Sequence, residues 1–341
     1  MTKFTAQEAM RRALELALLG PAHGVNPQVG AVILSGDGQV LGEGYHMGAG
    51  TKHAEVAALE QAQKLGPLSA GSVAVVTLEP CNHTGKTGPC AKALIDAGVS
   101  KVVFATKDPG EISGGGAKTL RDAGVEVIAG ELEQEANYQL RVWLTYATCK
   151  RPFVTLKWAA SLDGRAAAND GTSKWISGEQ SRIDAHQRRS EVDAILVGTG
   201  TARADNPELT ARKPDGSFFE HQPLRVILGE TELGPELRLF NSDAKTIQLK
   251  TKSVHGALSE LYEQGVKHLM VEGGPTVASK FIQLDLVDEY VLYLAPKLIG
   301  GEKLAIGAID VATIAEAKNV SFDEVSRLGD DILIVASRKA A

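Results

Sequence analysis

The sequence predicts an α/β protein of two domains, because its length, its order of elements and one polar boundary all favour this fold class. The 341 residues are more than one domain usually holds and allow two of roughly 150 to 190 residues. Strand-like apolar runs alternate with helical segments in both halves, which is typical of sheets covered by helices. Residues 148–152 are polar, and a new apolar series begins after them. We therefore expect domains at residues 1–147 and 152–341.

The chain is expected to begin with a helix and a hairpin. Residues 5–19 carry apolar side chains at helical spacing behind Thr5, and Glu8 stands three places later, which predicts a capped helix with one buried face. In residues 31–46, two strand-like runs flank Gly36-Asp37-Gly38. Glycines in such a turn favour antiparallel pairing of the two runs as a hairpin.

A second helix is expected to start near His53. Thr51 precedes it at a capping position, so that His53 and Glu55 fall in its first turn. Side chains on a helix lean towards its N-terminus. Both residues can therefore face a metal ion that lies just off this end.

The next segment brings two cysteines towards the same point. A buried strand at residues 72–78 leads to Cys81, and a helix opens at Cys90 and ends before Gly98. A strand at residues 101–105 completes a strand-helix-strand unit, so we expect parallel neighbours. Ligands of open α/β sheets usually bind at the carboxyl ends of such strands.

The remaining elements leave two alternatives open. Residues 114–116 are glycines, but no Gly-Lys-Ser/Thr ending follows, so a flexible turn is preferred to a phosphate loop. A short strand at residues 125–128 and a polar helix through about Thr145 complete the first half. Residues 269–280 read as a strand, two glycines and a helix start, which fits an anion site as well as an ordinary turn. Gly198-x-Gly200 lacks the third glycine of a dinucleotide-binding fingerprint.

Candidate zinc ligands are His53, Cys81 and Cys90. One imidazole and two thiols leave the fourth tetrahedral position to water, as a catalytic site requires, and Glu55 would then carry protons. We expect both cysteines to be metal-bound thiolates and not a disulfide. The alternative is a closed structural site with His83 as fourth ligand, although such a site has no need of Glu55.

The composition argues against several classes of function. The net charge of −6 is shared evenly, with 12 Lys and Arg against 15 Asp and Glu in residues 1–146, and 24 against 27 in residues 147–341. Neither half is a basic platform, so we expect no nucleic-acid partner. We find no signal peptide or membrane-spanning apolar run, so we expect no membrane partner and a cytoplasmic location. Cys149 is interpreted as a packed or linker thiol.

The metal motif resembles that of a known enzyme family. His53-Ala54-Glu55 followed by Pro80-Cys81 and Cys90 is close to the zinc-deaminase signature, in which zinc activates water and the glutamate shuttles protons. Eight residues separate the cysteines instead of the usual two. This spacing and the insert at residues 82–89 resemble the diaminohydroxyphosphoribosylaminopyrimidine deaminases of riboflavin biosynthesis, with Gly88 where that family more often has proline.

The second half resembles the reductase domain of the bifunctional riboflavin biosynthesis enzymes. That domain is itself similar to dihydrofolate reductase. Because the resemblance covers both halves in the family's own order, it implies a cytidine-deaminase-like three-layer α/β/α domain followed by a dihydrofolate-reductase-like α/β domain. The similar segments are residues 153–164, 173–177, 188–189, 193–201, 204–212 and 271–276.

The resemblance implies a set of ligand contacts in each half. In the first half the implied substrate contacts are Asn26, His46, His83 and Lys86, although a turn asparagine and a surface histidine are the alternatives for the first two. In the second half, arginines suit a sugar phosphate, and Lys157 has the alternative of a strand-edge surface lysine. The implied substrate contacts there are Lys157, Ser173, Arg189, Leu209, Arg212 and Glu272. The implied cofactor contacts are Ala159, Trp175, Thr201, Asp205, Gly274, Pro275, Thr276, Val277, Ala278, Ser279 and Lys280.

The same resemblance implies two cofactors and two reactions. One Zn2+ per deaminase domain would serve the hydrolytic deamination of 2,5-diamino-6-(5-phosphoribosylamino)pyrimidin-4(3H)-one. NADPH would then reduce the ribosyl side chain to give 5-amino-6-(5-phosphoribitylamino)uracil. The partner is thus a small molecule, and we expect a homo-oligomer, either a dimer or a tetramer.

Three rival interpretations differ from this one in function. A nucleic-acid-editing deaminase is disfavoured by the balanced charge and the cysteine spacing. A zinc-stabilised binding module is disfavoured by Glu55 and by the arginines of the second half. A protein with only one active half stays open, because departures in the reductase are harder to notice from the sequence.

Overall fold

The computed structural model describes residues 2–24, 26–84 and 88–339. By its internal contacts the chain forms two compact units, Met1–Lys150 and Arg151–Ala341, each with its own sheet and core. Among the described residues, no helix combines the length and the hydropathy needed to cross a lipid bilayer.

The first unit is a five-stranded sheet between two layers of helices. Its strands are β1 Gly30–Leu34, β2 Val40–Tyr45, β3 Val73–Leu78, β4 Lys101–Thr106 and β5 Glu126–Ala129. Its helices are α1 Ala6–Ala17, α2 Ala54–Gln63, α3 Cys90–Asp96, α4 Gly116–Asp122, α5 Glu133–Gln139 and α6 Arg141–Cys149. The sheet order is β2-β1-β3-β4-β5, with β1 antiparallel to β2 and β3 and the last three strands parallel. The predicted hairpin and strand-helix-strand unit are confirmed.

The core explains the three layers, because side chains of one strand alternate between the faces of the sheet. Ala31 and Ile33 belong to the apolar cluster that contains residues of α2, α3 and α4. Val32 and Leu34 belong to the cluster with α1 and α5. The predicted α/β/α domain is therefore confirmed.

The second unit is an eight-stranded sheet with helices on both faces. Its strands are β6 Phe153–Ser161, β7 Ala194–Gly198, β8 Leu224–Leu228, β9 Thr246–Leu249, β10 His268–Val271, β11 Glu289–Ala295, β12 Val320–Leu328 and β13 Asp331–Arg338. Its helices are α7 Glu179–Ser190, α8 Thr199–Asp205, α9 Val254–Glu263 and α10 Pro275–Gln283. The sheet order is β12-β13-β11-β6-β10-β7-β8-β9, parallel from β11 to β9 with an antiparallel β12–β13 hairpin at one edge.

The first helix begins with the predicted capping box. The Thr5 hydroxyl accepts from the backbone N–H of Glu8 at 3.3 Å, and the Glu8 carboxylate accepts from the backbone N–H of Thr5 at 2.8 Å. Two of the N–H groups at the start of the helix thus find partners. The helix buries Ala9, Met10 and Ala13 against the sheet, as its apolar spacing predicts.

Two local expectations are wrong. Thr51 does not cap α2, since its hydroxyl donates to the carbonyl of Gly48 at 2.7 Å and the extended His53 takes the N-cap position. The single polar helix expected through about Thr145 is two helices. Leu140, which is buried, leaves helical geometry between α5 and α6, and α6 continues to Cys149.

Helix α2 lies directly on the backbone of β2. A Cβ on Gly42 would stand 2.1 Å from the carbonyl oxygen of Ala58, and a Cβ on Gly44 would stand 2.4 Å from that of Ala54. Real Cβ atoms do not approach carbonyl oxygens so closely. Only glycine at these positions lets the helix approach the strand to this distance.

Substitution of Gly42 by alanine is expected to destabilise the first unit. The new methyl group forces α2 away from β2, and overpacking of this kind costs about 1–3 kcal/mol of the free energy of unfolding. Urea denaturation of the full chain measures the loss. Gly88→Ala is the control, since its Cβ would meet nothing within 4 Å, and equal stability of the two variants would contradict the prediction.

Candidate active sites

Three metal-ligating side chains meet in the first unit. His53 Nδ1 lies 3.5 Å from Cys81 Sγ and 3.2 Å from Cys90 Sγ, and the ligand atoms of the three residues lie within 4.8 Å of one another. Donor atoms on one tetrahedral zinc ion are about 3.5 to 4 Å apart, given Zn–N and Zn–S bonds of about 2.0 and 2.3 Å. The set that the sequence singled out is thus together in space.

Two helix N-termini and the end of one strand position these donors. His53 is the N-cap of α2, Cys90 is the first residue of α3, and Cys81 follows β3. The backbone N–H of Cys90 donates to Cys81 Sγ at 3.4 Å, and that of Ala91 donates to the Cys81 carbonyl at 3.1 Å. An N–H that points at sulfur favours the thiolate, which is the form that binds metal.

The three donors shift one another's pKa values. A hydrogen bond with Cys90 lowers the pKa of Cys81 to about 4, and the same contact together with burial raises the pKa of Cys90. A hydrogen bond with Cys81 raises the pKa of His53. Zinc binds cysteine as the thiolate, so metal binding would favour the deprotonated form of both sulfurs.

Glu55 lies beside this cluster without belonging to it. It stands in the first turn of α2, is only 4% exposed, and its carboxyl group is within hydrogen-bonding reach of Cys90. Burial raises its pKa to about 7. Among the described residues the cluster has three members, and neither Glu55 nor His83 is one of them. The donor set therefore fits zinc with a fourth position open to a small ligand, and a closed structural site finds no support.

His46 lies beside His53 and contacts Asn26. Asn26 Nδ2 is 2.7 Å from His46 Nε2, and His46 Nδ1 is 3.0 Å from the Lys52 carbonyl oxygen. The ring of His46 packs edge-on against that of His53, with 5.3 Å between centroids. A carbonyl only accepts, so His46 Nδ1 carries a proton; burial lowers the pKa of His46, which makes Nε2 the acceptor for Asn26. Both ring nitrogens of His46 are thus engaged by the protein.

His83 and Lys86 are the other two substrate contacts that the family resemblance implies for this domain. His83 follows the ligand Cys81 and is half-buried, and its Nδ1 has no hydrogen-bond partner among the described residues. Lys86 lies outside the described residues.

The second unit contains a cavity of about 1180 Å³. Nine lysine and arginine residues line it against four aspartates and glutamates. An excess of positive charge in a concave site attracts anions. The cavity therefore suits ligands that carry several phosphate groups.

Most of the residues implied for the second half line this cavity. The substrate set does so completely: Lys157, Ser173, Arg189, Leu209, Arg212 and Glu272. Of the cofactor set, the lining residues are Ala159, Trp175, Thr201, Asp205, Gly274, Pro275, Thr276, Val277 and Lys280. The structure does not bring Ala278 and Ser279 to the cavity, because both stand on the buried face of α10. Ala278 packs in the core, and Ser279 Oγ accepts from the backbone N–H of Gly307 at 2.8 Å.

A buried carboxylate holds two cations at the cavity wall. Arg189 donates to both oxygens of Glu272, at 2.6 and 2.9 Å, and Lys157 Nζ lies 3.4 Å from the same carboxylate. Burial alone would raise the pKa of Glu272, but the two cations outweigh it and the pKa is lowered. Lys157 is therefore an ion-paired wall residue and not a surface lysine.

A second layer behind Lys157 was not anticipated from the sequence. Lys157 Nζ lies 5.5 Å from the ring centroid of Tyr293, and the hydroxyl of Tyr293 donates to Asp184 at 2.6 Å. Asp184 also accepts from Arg188 at 2.7 Å. Tyr293 is one buried residue in the alternating pattern of β11, and nothing in that pattern marks it as special.

The two glycines before α10 are required by close packing. A Cβ on Gly273 would lie 2.7 Å from Cβ of Val277, and a Cβ on Gly274 would lie 2.9 Å from the hydroxyl of Thr201. That hydroxyl accepts from the backbone N–H of Gly274 at 3.0 Å. The N-terminus of α10, with Pro275 as its first residue, thus opens onto the cavity through a turn free of side chains.

Two protein-family models match the chain. Residues 152–334 match the RibD C-terminal domain. Residues 4–106 match the cytidine and deoxycytidylate deaminase zinc-binding region. The second match contains His53, Cys81 and Cys90, the three clustered residues that could hold a metal ion.

Curated relatives and solved structures cover nearly the whole chain. Riboflavin biosynthesis protein RibD of Mycobacterium tuberculosis (strain H37Rv) is 46% identical over 309 residues, which is 90% of each chain. The RibD protein of Escherichia coli K12 is 34% identical and covers 95% of this chain and 97% of its own. The structure of Acinetobacter baumannii RibD superposes with a TM-score of 0.89 at 36% identity, over 98% of this chain and 99% of its own. A Thermotoga maritima deaminase/reductase superposes with a TM-score of 0.88 at 36% identity and the same coverage.

Substitution of His53 by alanine is expected to remove most of the bound zinc. Two thiolates alone make a weak site, so the content should fall from about one zinc per chain to well below half. Metal analysis after dialysis against a chelator measures it. His255→Ala, an exposed histidine of α9, is the matched control, and full zinc in the His53 variant would contradict the ligand assignment.

Proposed function

This chain belongs to the RibD family of bifunctional riboflavin biosynthesis enzymes, and we propose on that premise which of its residues carry the two reactions. As such an enzyme it is a zinc-dependent deaminase and an NADPH-dependent reductase. The observation that carries the residue-level proposal is the meeting of His53, Cys81 and Cys90 beside the buried Glu55.

We assign one reaction to each domain. Residues 1–147 remove an amino group from 2,5-diamino-6-(5-phosphoribosylamino)pyrimidin-4(3H)-one by hydrolysis. Residues 152–341 then reduce the ribosyl side chain. The product is 5-amino-6-(5-phosphoribitylamino)uracil. The Thermotoga maritima relative is a diaminohydroxyphosphoribosylaminopyrimidine deaminase and a 5-amino-6-(5-phosphoribosylamino)uracil reductase, and this pair of activities supports the division.

In the deaminase, zinc held by His53, Cys81 and Cys90 supplies a polarised water with a pKa near neutrality. Glu55 accepts a proton and returns it to the amino group, so that the carbon–nitrogen bond breaks and ammonia leaves while a carbon–oxygen bond forms. His53 is the N-cap of α2 and Glu55 stands in its first turn, so this end of the helix holds the carboxyl group beside the ligands. Asn26 faces the pyrimidine with its amide oxygen, and His46 stands behind it. His83 and Lys86 complete the substrate contacts.

In the reductase, NADPH supplies the hydride, and the protein aligns the reacting carbon with it and excludes water. Lys157, held by Glu272, orients the ribose, while Arg189 and Arg212 attract its phosphate. Ser173 and Leu209 complete the substrate side of the cavity. Ala159, Trp175, Thr201 and Asp205 would hold the cofactor, and the N-terminus of α10 with the cavity-lining residues Gly274–Val277 and Lys280 would hold one of its phosphates.

The chain acts on a small molecule, and its cellular location and oligomeric state are part of the proposal. The family resemblance supports a cytoplasmic enzyme that forms a dimer or a tetramer. Neither half has the excess of basic residues that is typical of a nucleic-acid-binding protein.

Glu55→Gln is expected to lose deamination and keep zinc. The amide cannot carry the proton, and loss of general acid–base catalysis lowers kcat by about 100-fold or more. Ammonia release and zinc content are measured on the same preparation. Glu60→Gln, an exposed residue of the same helix, is the control; a Glu55 variant with full ammonia release would refute its role.

A coupled assay tests both domains together. With the diaminopyrimidine phosphate and NADPH, we expect ammonia release and a fall in NADPH absorbance that depends on prior deamination. With deaminated substrate supplied directly, His53→Ala should consume NADPH at close to the wild-type rate. Ammonia without NADPH oxidation would overturn the reductase assignment alone.

A further inference from the structure

Glu79 is a buried carboxylate that neither reaction uses. It stands two residues before the ligand Cys81 and is 4% exposed. Its Oε2 accepts from the backbone N–H of Asp108 at 3.2 Å, and its Oε1 accepts from that of Ala117 at 2.9 Å. The side chain therefore ties the end of β3 to a segment 29 and 38 residues further along the chain.

The same segment contacts the Cys81 turn at two more points. The backbone N–H of Asn82 donates to the Ser113 carbonyl at 2.9 Å. A Cβ on Gly116 would lie 1.8 Å from the carbonyl oxygen of Pro80, so the two backbones are in direct contact. The glycines at residues 114–116, which the sequence predicts to form a turn, thus belong to the segment that packs against the turn carrying Cys81.

Cys81 is consequently held from two sides. The N-terminus of α3 donates to its sulfur and its carbonyl. Residues 108–117 hold the preceding and following residues from the other side. We propose that Glu79 is a positioning residue of the metal centre, whose carboxylate keeps Cys81 at the distance from His53 and Cys90 that one zinc ion requires.

The two hydrogen bonds require a carboxylate at this length. Each oxygen accepts from a different backbone N–H, and charge-assisted bonds of this kind are the stronger ones. Glutamine offers one oxygen and turns its NH2 group against the second N–H. Aspartate is one methylene shorter, so one carboxylate no longer reaches both partners. Loss of groups that orient metal ligands typically costs 10- to 100-fold in metal affinity.

The test compares zinc affinity in the full chain with Glu79→Gln, Glu79→Asp and the control Glu111→Gln. Glu111 is an exposed carboxylate in the same segment. Competition with a chelator should show about 10- to 100-fold weaker zinc binding for both Glu79 variants. The control should bind zinc like the wild type. If the glutamine variant does not fold, the aspartate variant decides the matter.

Cobalt substitution separates positioning from general stability. The visible absorption of Co2+ reports the geometry of its ligands, so the Glu79 variants should show a shifted or weakened band. Zinc affinity within about twofold of wild type together with an unchanged cobalt spectrum would overturn the proposal, even if thermal stability falls. The proposal rests on the zinc site and not on the substrate, so a failed coupled assay leaves it standing.

Discussion

The meeting of three donor atoms at one point is the constraint on which the first unit depends. The donors come from the turn after β3, from the N-cap of α2 and from the first residue of α3, and a shift of any one element by an ångström would separate them. Close contacts between neighbouring elements hold the three donors in place. Small residues bring α2 onto β2, backbone N–H groups of α3 hold Cys81, and Glu79 anchors the turn from behind.

The second unit is shaped by electrostatics, because its cavity has to present cationic side chains to anionic ligands. Glu272 neutralises part of its own wall by pairing with Arg189 and Lys157, and Glu208 pairs with Arg212 and Arg238. These pairs hold long, flexible side chains in one geometry before any ligand arrives, which lowers the entropic cost of binding. The remaining excess of cations still attracts phosphate groups.

How much of this was visible in the sequence depends on how local each signal is. The meeting of His53, Cys81 and Cys90, the α1 capping box and the hairpin can be predicted because residue type and spacing carry them directly. Thr51 misled because its hydroxyl prefers a nearby carbonyl, a choice that spacing does not reveal. The contacts of Glu79, Tyr293 and the Arg189–Glu272 pair were not anticipated, since their partners stand 29 or more residues away and no motif marks them. The prediction took all of residues 274–280 as cofactor contacts. In a helix, successive side chains point in different directions, so Ala278 and Ser279 face the core while their neighbours face the cavity.

The glycines under α2 link the sheet to the chemistry. Gly42 and Gly44 leave no gap between strand and helix, so a larger residue at either position has to lift the helix and move His53 and Glu55 with it. A substitution at Gly42 or Gly44 therefore displaces His53 and Glu55, and so impairs the site, even where the domain stays folded. The nearest obstructing atoms are backbone atoms of α2, so no change of side chain in the helix can make room for a larger residue at either position. The positions of His53 and Glu55 thus depend on two strand glycines that belong to neither residue's own helix.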